Sequence, residues 1–382
     1  MSSYAARRRA ALGDHRAILI TDETNVRYLT GFTGDATVLL MWREGRRRRE
    51  LAISDGRFEV QLAEQCPEIE AFIRKPSVKL ADAVRGQAKK TKAGPFLVEP
   101  HAMRVAAFAA LNADPPEDDD DSGTDEESPP QPLEGDGLFA VAAEPLVDRS
   151  VKDAGEIAAI RHAVATAERV FDYMRHRVRP HTPEWELDAD GEHVARQFGM
   201  RGWSFPAIVA AGDRAALPHY EPGDRTLEPE SHLLIDWGVR SRDGYVSDMT
   251  RVLLRKKSPA KLRKIYDAVL DAHRQSAAAL RPGAIAHEVD GVARRILEDA
   301  GYGKLFNHSL GHGIGLQVHE GPGLRTGETT ELQAGMVVTI EPGVYAAGFG
   351  GVRLENDYLI TEDGAECLGA LPLDADAMTL DW

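Results

Sequence analysis

The hydrophobic pattern divides the chain into three stretches. Up to residue 111, short apolar runs alternate with amphipathic segments. The runs at 17–20, 36–42, 51–54, 69–74 and 95–99 predict strands, with the basic stretch 43–49 as the turn between the second and third. Helical periodicity near 57–65, 78–89 and 101–111 completes an α/β pattern. Residues 112–137 show no hydrophobic period and are rich in Asp, Glu, Pro, Ser and Gly. Such a stretch cannot bury enough apolar surface to offset chain entropy, and a disordered, solvated insertion is expected. From residue 138 the periodicity returns. Ile157, Ile160, Val164, Ala167 and Val170 define one face of a helix over 153–175. Thr182-Pro183-Glu184 opens a second helix with an N-cap. Further helices are predicted over 258–280 and over 286–300, the last closed by Gly301. Strands are predicted at 207–211, 232–238, 245–255, 336–342 and 352–361. The expected organisation is α+β: an α/β domain over 1–111, the acidic insertion 112–137 and a mixed α+β domain over 138–382.

Composition narrows the classes. A chain of 382 residues suits two or three domains and a sizeable core. Cys66 and Cys367 cannot build a disulfide framework, and no zinc-type cysteine spacing exists. No apolar run reaches about 18 residues, and the basic N-terminal residues have no apolar stretch behind them, so a cytoplasmic location is the expectation. The formal net charge is −15. Eleven acids lie within 112–137, and taking them from −15 leaves −4. The remaining chain shows no bias toward nucleic acid or membrane.

The chemistry concentrates in two acidic hairpins and a histidine cluster. In the first hairpin, a turn centred near Arg242 places Asp236 opposite Asp248; a tight Asp243-Gly244 turn separates them by three positions instead. In the second, a turn centred on Gly348 places Glu341 opposite Glu355. Asp236 and Glu341 each end an apolar run, Leu233-Leu234-Ile235 and Val337-Val338-Thr339-Ile340, that reads as buried. Opposed buried acids are destabilising unless cations compensate them. Between the hairpins lie His308, His312 and His319, in a segment whose Gly311, Gly313 and Gly315 argue against a long helix. His219 is a weaker candidate. Four carboxylates would neutralise two divalent ions, and oxygen ligands with one imidazole suit Mn²⁺, with Co²⁺, Fe²⁺ or Zn²⁺ as alternatives. Two such ions about 3.5–4 Å apart would share a hydroxide and lower its pKa toward neutrality. No His-Glu-x-x-His sequence points to a single-zinc protease, and no Gly-Lys-Ser/Thr follows the glycines as a phosphate loop requires.

Residues 233–251, 308–320, 339–343 and 351–361 together resemble the M24 metallopeptidases of the pita-bread fold, most of all the Xaa-Pro aminopeptidase and Xaa-Pro dipeptidase (prolidase) type. Asn25-Val26-Arg27-Tyr28-Leu29-Thr30-Gly31-Phe32-Thr33-Gly34 and Ser54-Asp55-Gly56-Arg57-Phe58 resemble the creatinase-type N-terminal domain. Val151-Lys152-Asp153 through Arg161 resembles the helix that opens the catalytic domain. The resemblance implies Asp236 as a terminal ligand of one metal, Asp248 and Glu355 as bridging carboxylates, and His312 and Glu341 as ligands of the second. It implies that Glu341 also deprotonates the attacking water, that His319 stabilises the tetrahedral intermediate, and that His219, His308 and Arg353 belong to the substrate site. It further implies hydrolysis of Xaa-Pro bonds in proline-containing peptides by a metal-bridging hydroxide, and a homodimer. Asn356, Ser309 and Gln317 depart from the family pattern, as does the acidic insertion, and none of the three residues is an implied ligand. Methionine aminopeptidase shares the fold, but the N-terminal domain argues against it. Creatine-type amidinohydrolysis is disfavoured by the retained ligand set. A non-catalytic pita-bread binding module, docking a basic partner through the acidic segment, is the alternative from another class.

Overall fold

The computed structural model describes residues 3–113, 137–228 and 230–380. The chain forms two compact units that divide between Asp148 and Arg149. The expected insertion falls almost entirely on residues 114–136, which lie outside the described residues.

The first unit carries helices α1 (Tyr4–Leu12), α2 (Glu23–Thr30), α3 (Glu59–Gln65), α4 (Leu80–Thr91) and α5 (Val105–Asn112). Its strands are β1 (Ala17–Ile20), β2 (Val38–Glu44), β3 (Arg47–Asp55), β4 (Glu70–Arg74), β5 (Phe96–Val98) and β6 (Phe139–Val141). They form one mixed sheet in the order β4-β3-β2-β1-β5-β6. β1 is buried along its whole length, as its unbroken apolar run requires. Two expectations are corrected here. The basic turn is much shorter than 43–49: Glu44 pairs with Arg47, so the arginines 47–49 lie in β3. The second unit does not begin at 138, because β6 completes the first sheet by parallel pairing with β5.

The second unit opens with α6 (Ala154–Arg177), which starts at a full capping box: Asp153 accepts from the Glu156 backbone and Glu156 from that of Asp153. Helices α7 (Glu184–Gln197), α8 (Ala260–Ala279) and α9 (Ala286–Asp299) follow. α7 begins after Pro183 with no side-chain cap, so Thr182 does not serve as one. A short pair, β7 (Gly202–Trp203) with β10 (Val239–Arg240), flanks a four-stranded sheet in the order β19-β11-β9-β8. That sheet comprises β8 (Ile208–Ala211), β9 (His232–Trp237), β11 (Met249–Arg255) and β19 (Thr379–Leu380). A five-stranded sheet runs β13-β12-β14-β17-β18, from β12 (Gly311–Gly313), β13 (Glu320–Leu324), β14 (Val337–Ile340), β17 (Asn356–Ile360) and β18 (Ala365–Cys367). A separate hairpin, β15 (Gly343–Ala346) with β16 (Gly350–Arg353), extends from it. The single strand expected over 352–361 is therefore two strands, broken at Leu354-Glu355. The apolar faces of α8 and α9 pack with these sheets into one core that includes Leu234, Val252, Tyr266, Val289, Val338 and Ile360.

Candidate active site

Strand registers bring the acids together. In β9–β11 the residue opposite Asp236 is Thr250. Both registers expected from sequence are thus corrected: the turn holds Ser241 to Gly244, with Gly244 N–H donating to Ser241 at 3.0 Å. Asp248 lies two residues before Thr250, which in extended chain is the same side as Asp236. In the second hairpin the expected register holds. Ile340 pairs with Asn356 and Gly343 with Arg353, so Glu341 stands opposite Glu355. A bridge between Thr250 and Glu355 joins the two hairpins. Asp236, Thr250, Glu355 and Glu341 therefore form a row across four neighbouring segments. His312 enters from β12, where Gly313 pairs with Val338. That strand lies so close to β14 that a Cβ on Gly311 would sit 2.0 Å from the Thr339 carbonyl oxygen.

All nine candidate residues line one cavity of about 570 Å³: Asp236, Asp248, His312, Glu341, Glu355, His219, His308, His319 and Arg353. Among the described residues Arg353 is the only lysine or arginine in its lining. Ligand atoms of Asp248, His312 and Glu355 lie within 4.8 Å of one another. His312 Nε2 is 3.6 Å from Asp248 Oδ2 and 3.4 Å from Glu341 Oε1. His312 Nδ1 faces the Gly313 carbonyl at 3.1 Å. A proton on Nδ1 satisfies that contact and leaves the Nε2 lone pair aimed at two carboxylates, the arrangement of a metal-ligating imidazole. The His319 ring stands edge-on to His312 with centroids 4.4 Å apart.

The electrostatics point the same way. Burial, then the charges of Glu355, Asp236, Asp357 and Glu341, push Asp248 well above the carboxylate range. Burial, then Glu341 and Asp236, do the same to Glu355. Burial pushes Glu341 up to about 8 against the pull of Arg353. Burial, then His319, holds His312 down to about 4, so its imidazole is neutral at pH 7. Asp236 Oδ1 is buried with no hydrogen-bond partner. Acceptors crowded against acceptors, with one buried carboxylate oxygen left over, form a donor set that a divalent cation fits.

Sequence reasoning missed three residues inside this site. The Thr250 hydroxyl donates to Glu355 Oε2 at 2.6 Å and accepts from Arg353 Nε at 3.1 Å. Tyr345 OH accepts from Arg353 Nη1 at 2.8 Å and meets His308 Nε2 at 2.9 Å. Asp357 is fully buried and accepts from the Asp248 N–H at 3.1 Å. Arg353, expected at the substrate, spends its remaining nitrogen on Asp236. Thr250 had no usable signal, because both expected registers placed another residue opposite Asp236. Tyr345 and Asp357 had none beyond lying near the glutamates.

A buried carboxylate and imidazole cluster at the floor of a peptide-sized cleft defines a metal-dependent hydrolase. The family model of metallopeptidase family M24 matches residues 158–362, and that of the Creatinase/Prolidase N-terminal domain matches residues 5–121. The chain belongs to metallopeptidase family M24, and the expected fold and enzyme class are borne out. The structure is similar to an Xaa-Pro dipeptidase from Bacillus anthracis, at 30% identity and a TM-score of 0.86, covering 99% of both chains. It is also similar to an X-Pro aminopeptidase from Thermotoga maritima, at 29% identity and a TM-score of 0.78, covering 96% of this chain and 99% of that one. In sequence it is 40% identical over 220 residues to an uncharacterized peptidase of Staphylococcus saprophyticus, covering 58% of this chain and 63% of that relative. No helix among the described residues is long and apolar enough to cross a membrane.

Proposed function

We propose that this chain is a dimetal exopeptidase that hydrolyses the bond between an N-terminal residue and proline. The observation that carries the reading is the cluster of four carboxylates, Asp236, Asp248, Glu341 and Glu355, with the Nε2 lone pair of His312, in the cavity that His219, His308 and His319 also line. The solved neighbours acting on Xaa-Pro peptides support the choice of substrate.

Asp236, Asp248, His312, Glu341 and Glu355 would hold two divalent ions, Mn²⁺ first by the oxygen-rich donor set. When bound, the ions supply Lewis acidity and bring the pKa of water toward neutrality. Glu341 accepts the proton of the attacking water and passes it to the proline nitrogen, which leaves as a secondary amine. His319 is held below the ordinary imidazole range by burial and His219, so it faces the substrate neutral. Its N–H donates to the oxygen that gains charge as the carbonyl becomes tetrahedral. His308 is oriented by Ser309 and Tyr345, its Nδ1 lying 2.7 Å from the Ser309 carbonyl, and with His219 it steers the substrate carbonyl. Arg353, tied to Asp236, Thr250 and Tyr345, positions the acids. The cleft wall adds Phe205, Pro206, Ile208, Tyr220 and Val318, an apolar surface for a proline ring. The bond before proline has no N–H, so a site for it needs ring contact in place of that donor.

The test is a peptide panel with Mn²⁺ and a chelator control. Gly-Pro dipeptides and Xaa-Pro-Xaa tripeptides should be cut before proline, and Gly-Ala analogues should not. Dipeptides cut alone assign a prolidase; tripeptides cut as well assign an aminopeptidase P. Turnover that survives complete chelation, or that is unchanged by Asp248→Asn, refutes the reading. A homodimer and a cytoplasmic location belong to the same proposal, read out by light scattering and by cell fractionation.

A further inference from the structure

The acids of the site lie on or beside paired strands, which fixes them. His308 lies between a short 3-10 turn and β12, outside any named element. Beside the contacts of its ring with Ser309 and Tyr345, its backbone is held on both sides of Ser309, and the groups that hold it come from α9. Asp290, which is 1% exposed, accepts from the Leu310 N–H at 3.1 Å and from the Thr326 hydroxyl at 3.2 Å. Arg294, one turn later, meets both oxygens of Asp290, at 2.6 and 2.9 Å. The same guanidinium donates to the His308 carbonyl at 2.8 Å and lies over the Phe306 ring. The Phe306 ring in turn stands edge-on to the His308 imidazole. The Leu310 peptide continues the chain of contacts, since its carbonyl accepts from the Glu341 N–H at 2.8 Å.

We infer that Asp290 and Arg294 are a positioning pair: they set the direction of the His308 imidazole and, through Leu310, the backbone of Glu341. The inference rests on the substrate role proposed for His308. Neither residue lines the cavity, so neither is a catalytic residue. The pair is suited to the task. A bidentate Asp–Arg contact has a fixed planar geometry, so it holds the two groups it touches at a set spacing. An i, i+4 pair on a helix inherits the rigidity of the helix.

A double-mutant cycle on kcat/KM separates positioning from general stability. Asp290→Asn and Arg294→Gln are each made alone and with His308→Ala, on the full chain loaded with Mn²⁺. Arg294 is partly exposed, so its variant should fold even if the Asp290 variant does not. Each single change should lower kcat/KM about tenfold, mostly through KM, the size of one lost hydrogen bond to a charged group. With His308 already removed, the same change should cost less than about twofold, because there is no imidazole left to misdirect. Equal losses in both backgrounds would assign a structural role and overturn the inference. Hydrogen exchange in the metal-free protein is the second readout: both variants should exchange faster at the Leu310 and Glu341 amides. Unchanged exchange there overturns the inference. If the unaltered enzyme cleaves no proline peptide, the functional proposal fails by itself and the exchange result decides this one.

Discussion

Thr250 offers the sharpest test of how the site is built. Its side chain is fully buried, opposite Asp236 in one pairing and Glu355 in another. Replacing it with valine keeps the shape and deletes one hydroxyl. That hydroxyl makes two bonds, a 2.6 Å donation to the Glu355 carboxylate and a 3.1 Å acceptance from the Arg353 guanidinium. Both partners are buried ionisable groups, so each lost bond should cost about 1.5–3 kcal/mol. Thr250→Val should therefore destabilise the protein by about 3–6 kcal/mol. At roughly 2–4 °C per kcal/mol for a unit of this size, Tm should fall by about 6–24 °C. Thr250→Ser keeps the hydroxyl, loses one methyl group and should cost about 1 kcal/mol. Urea unfolding with and without Mn²⁺, alongside kcat/KM, measures both variants. The reasoning is refuted if the valine variant lies within about 0.5 kcal/mol of the parent, the range of a neutral surface change. It is equally refuted if serine is as damaging as valine.

Chelation should unfold the protein earlier: each site filled to 100 times its Kd adds about 2.7 kcal/mol, so Tm with Mn²⁺ should exceed that in EDTA, and Asp248→Asn should shrink the difference. His273 is buried with neither ring nitrogen hydrogen-bonded among the described residues, and is held down to about 3, first by burial and then by Arg251. Its folded pKa lies below the unfolded value near 6.5, so the unfolded chain binds the extra proton and stability falls as pH drops from about 6.5 toward 3, by up to about 1.4 kcal/mol per pH unit. His273→Leu should flatten that part of the stability profile, and an unchanged slope would refute the assignment. Gly311→Ala drives a Cβ to 2.0 Å from a backbone oxygen of β14, whereas a Cβ at Gly364 meets nothing within 4 Å. The first should abolish activity and cost at least about 3 kcal/mol in a chemical melt, and the second should change neither.

The legibility of this molecule follows from the range of its interactions. The strands β1 and β9 are short apolar runs buried along their length, so the period alone located them. The second hairpin was placed correctly because its register continues unbroken from Ile340–Asn356 to Ala346–Gly350, and flanking glycines mark the turn. Of the two registers expected for the first hairpin, the one centred near Arg242 was off by two residues and the one with an Asp243-Gly244 turn by one, because the turn runs from Ser241 to Gly244 and counting from a guessed centre carries its error to every pair. Eight of the nine cavity residues were found as types of atom, since acids and imidazoles announce themselves, and Arg353 came from the family resemblance alone. Thr250 and Tyr345 were missed because a hydroxyl is ordinary in a strand, and only the third dimension shows that each meets a charged partner. β6 was assigned to the wrong unit because three residues carry no period, and their partner, β5, is some forty positions away.

The residues furthest from legibility show how the site is divided. Its acids come from paired strands or their ends, while the three cavity histidines other than His312 sit on loops, and each loop is tied to a buried carboxylate outside the cavity. Glu184 accepts from Ala211 N–H, Gly223 N–H and the Tyr220 hydroxyl, which brackets His219. Asp290 holds the Leu310 amide next to His308. Glu320 accepts from the Leu316 and Gln317 amides ahead of His319, and is itself paired with Lys152 and Arg149. Loop backbone cannot satisfy its own amides as a strand does, so an acceptor must come from elsewhere. A carboxylate supplies two oxygens with several lone pairs and so fixes two or three amides at once. The cost of burying it is met by those donors, which makes it a device for holding irregular chain in one conformation. The cluster proposed to hold cations and the carboxylates that hold the histidine loops thus use the same chemical group differently: the first leaves a buried oxygen, Asp236 Oδ1, without a donor among the described residues, and the second has its oxygens filled by backbone amides.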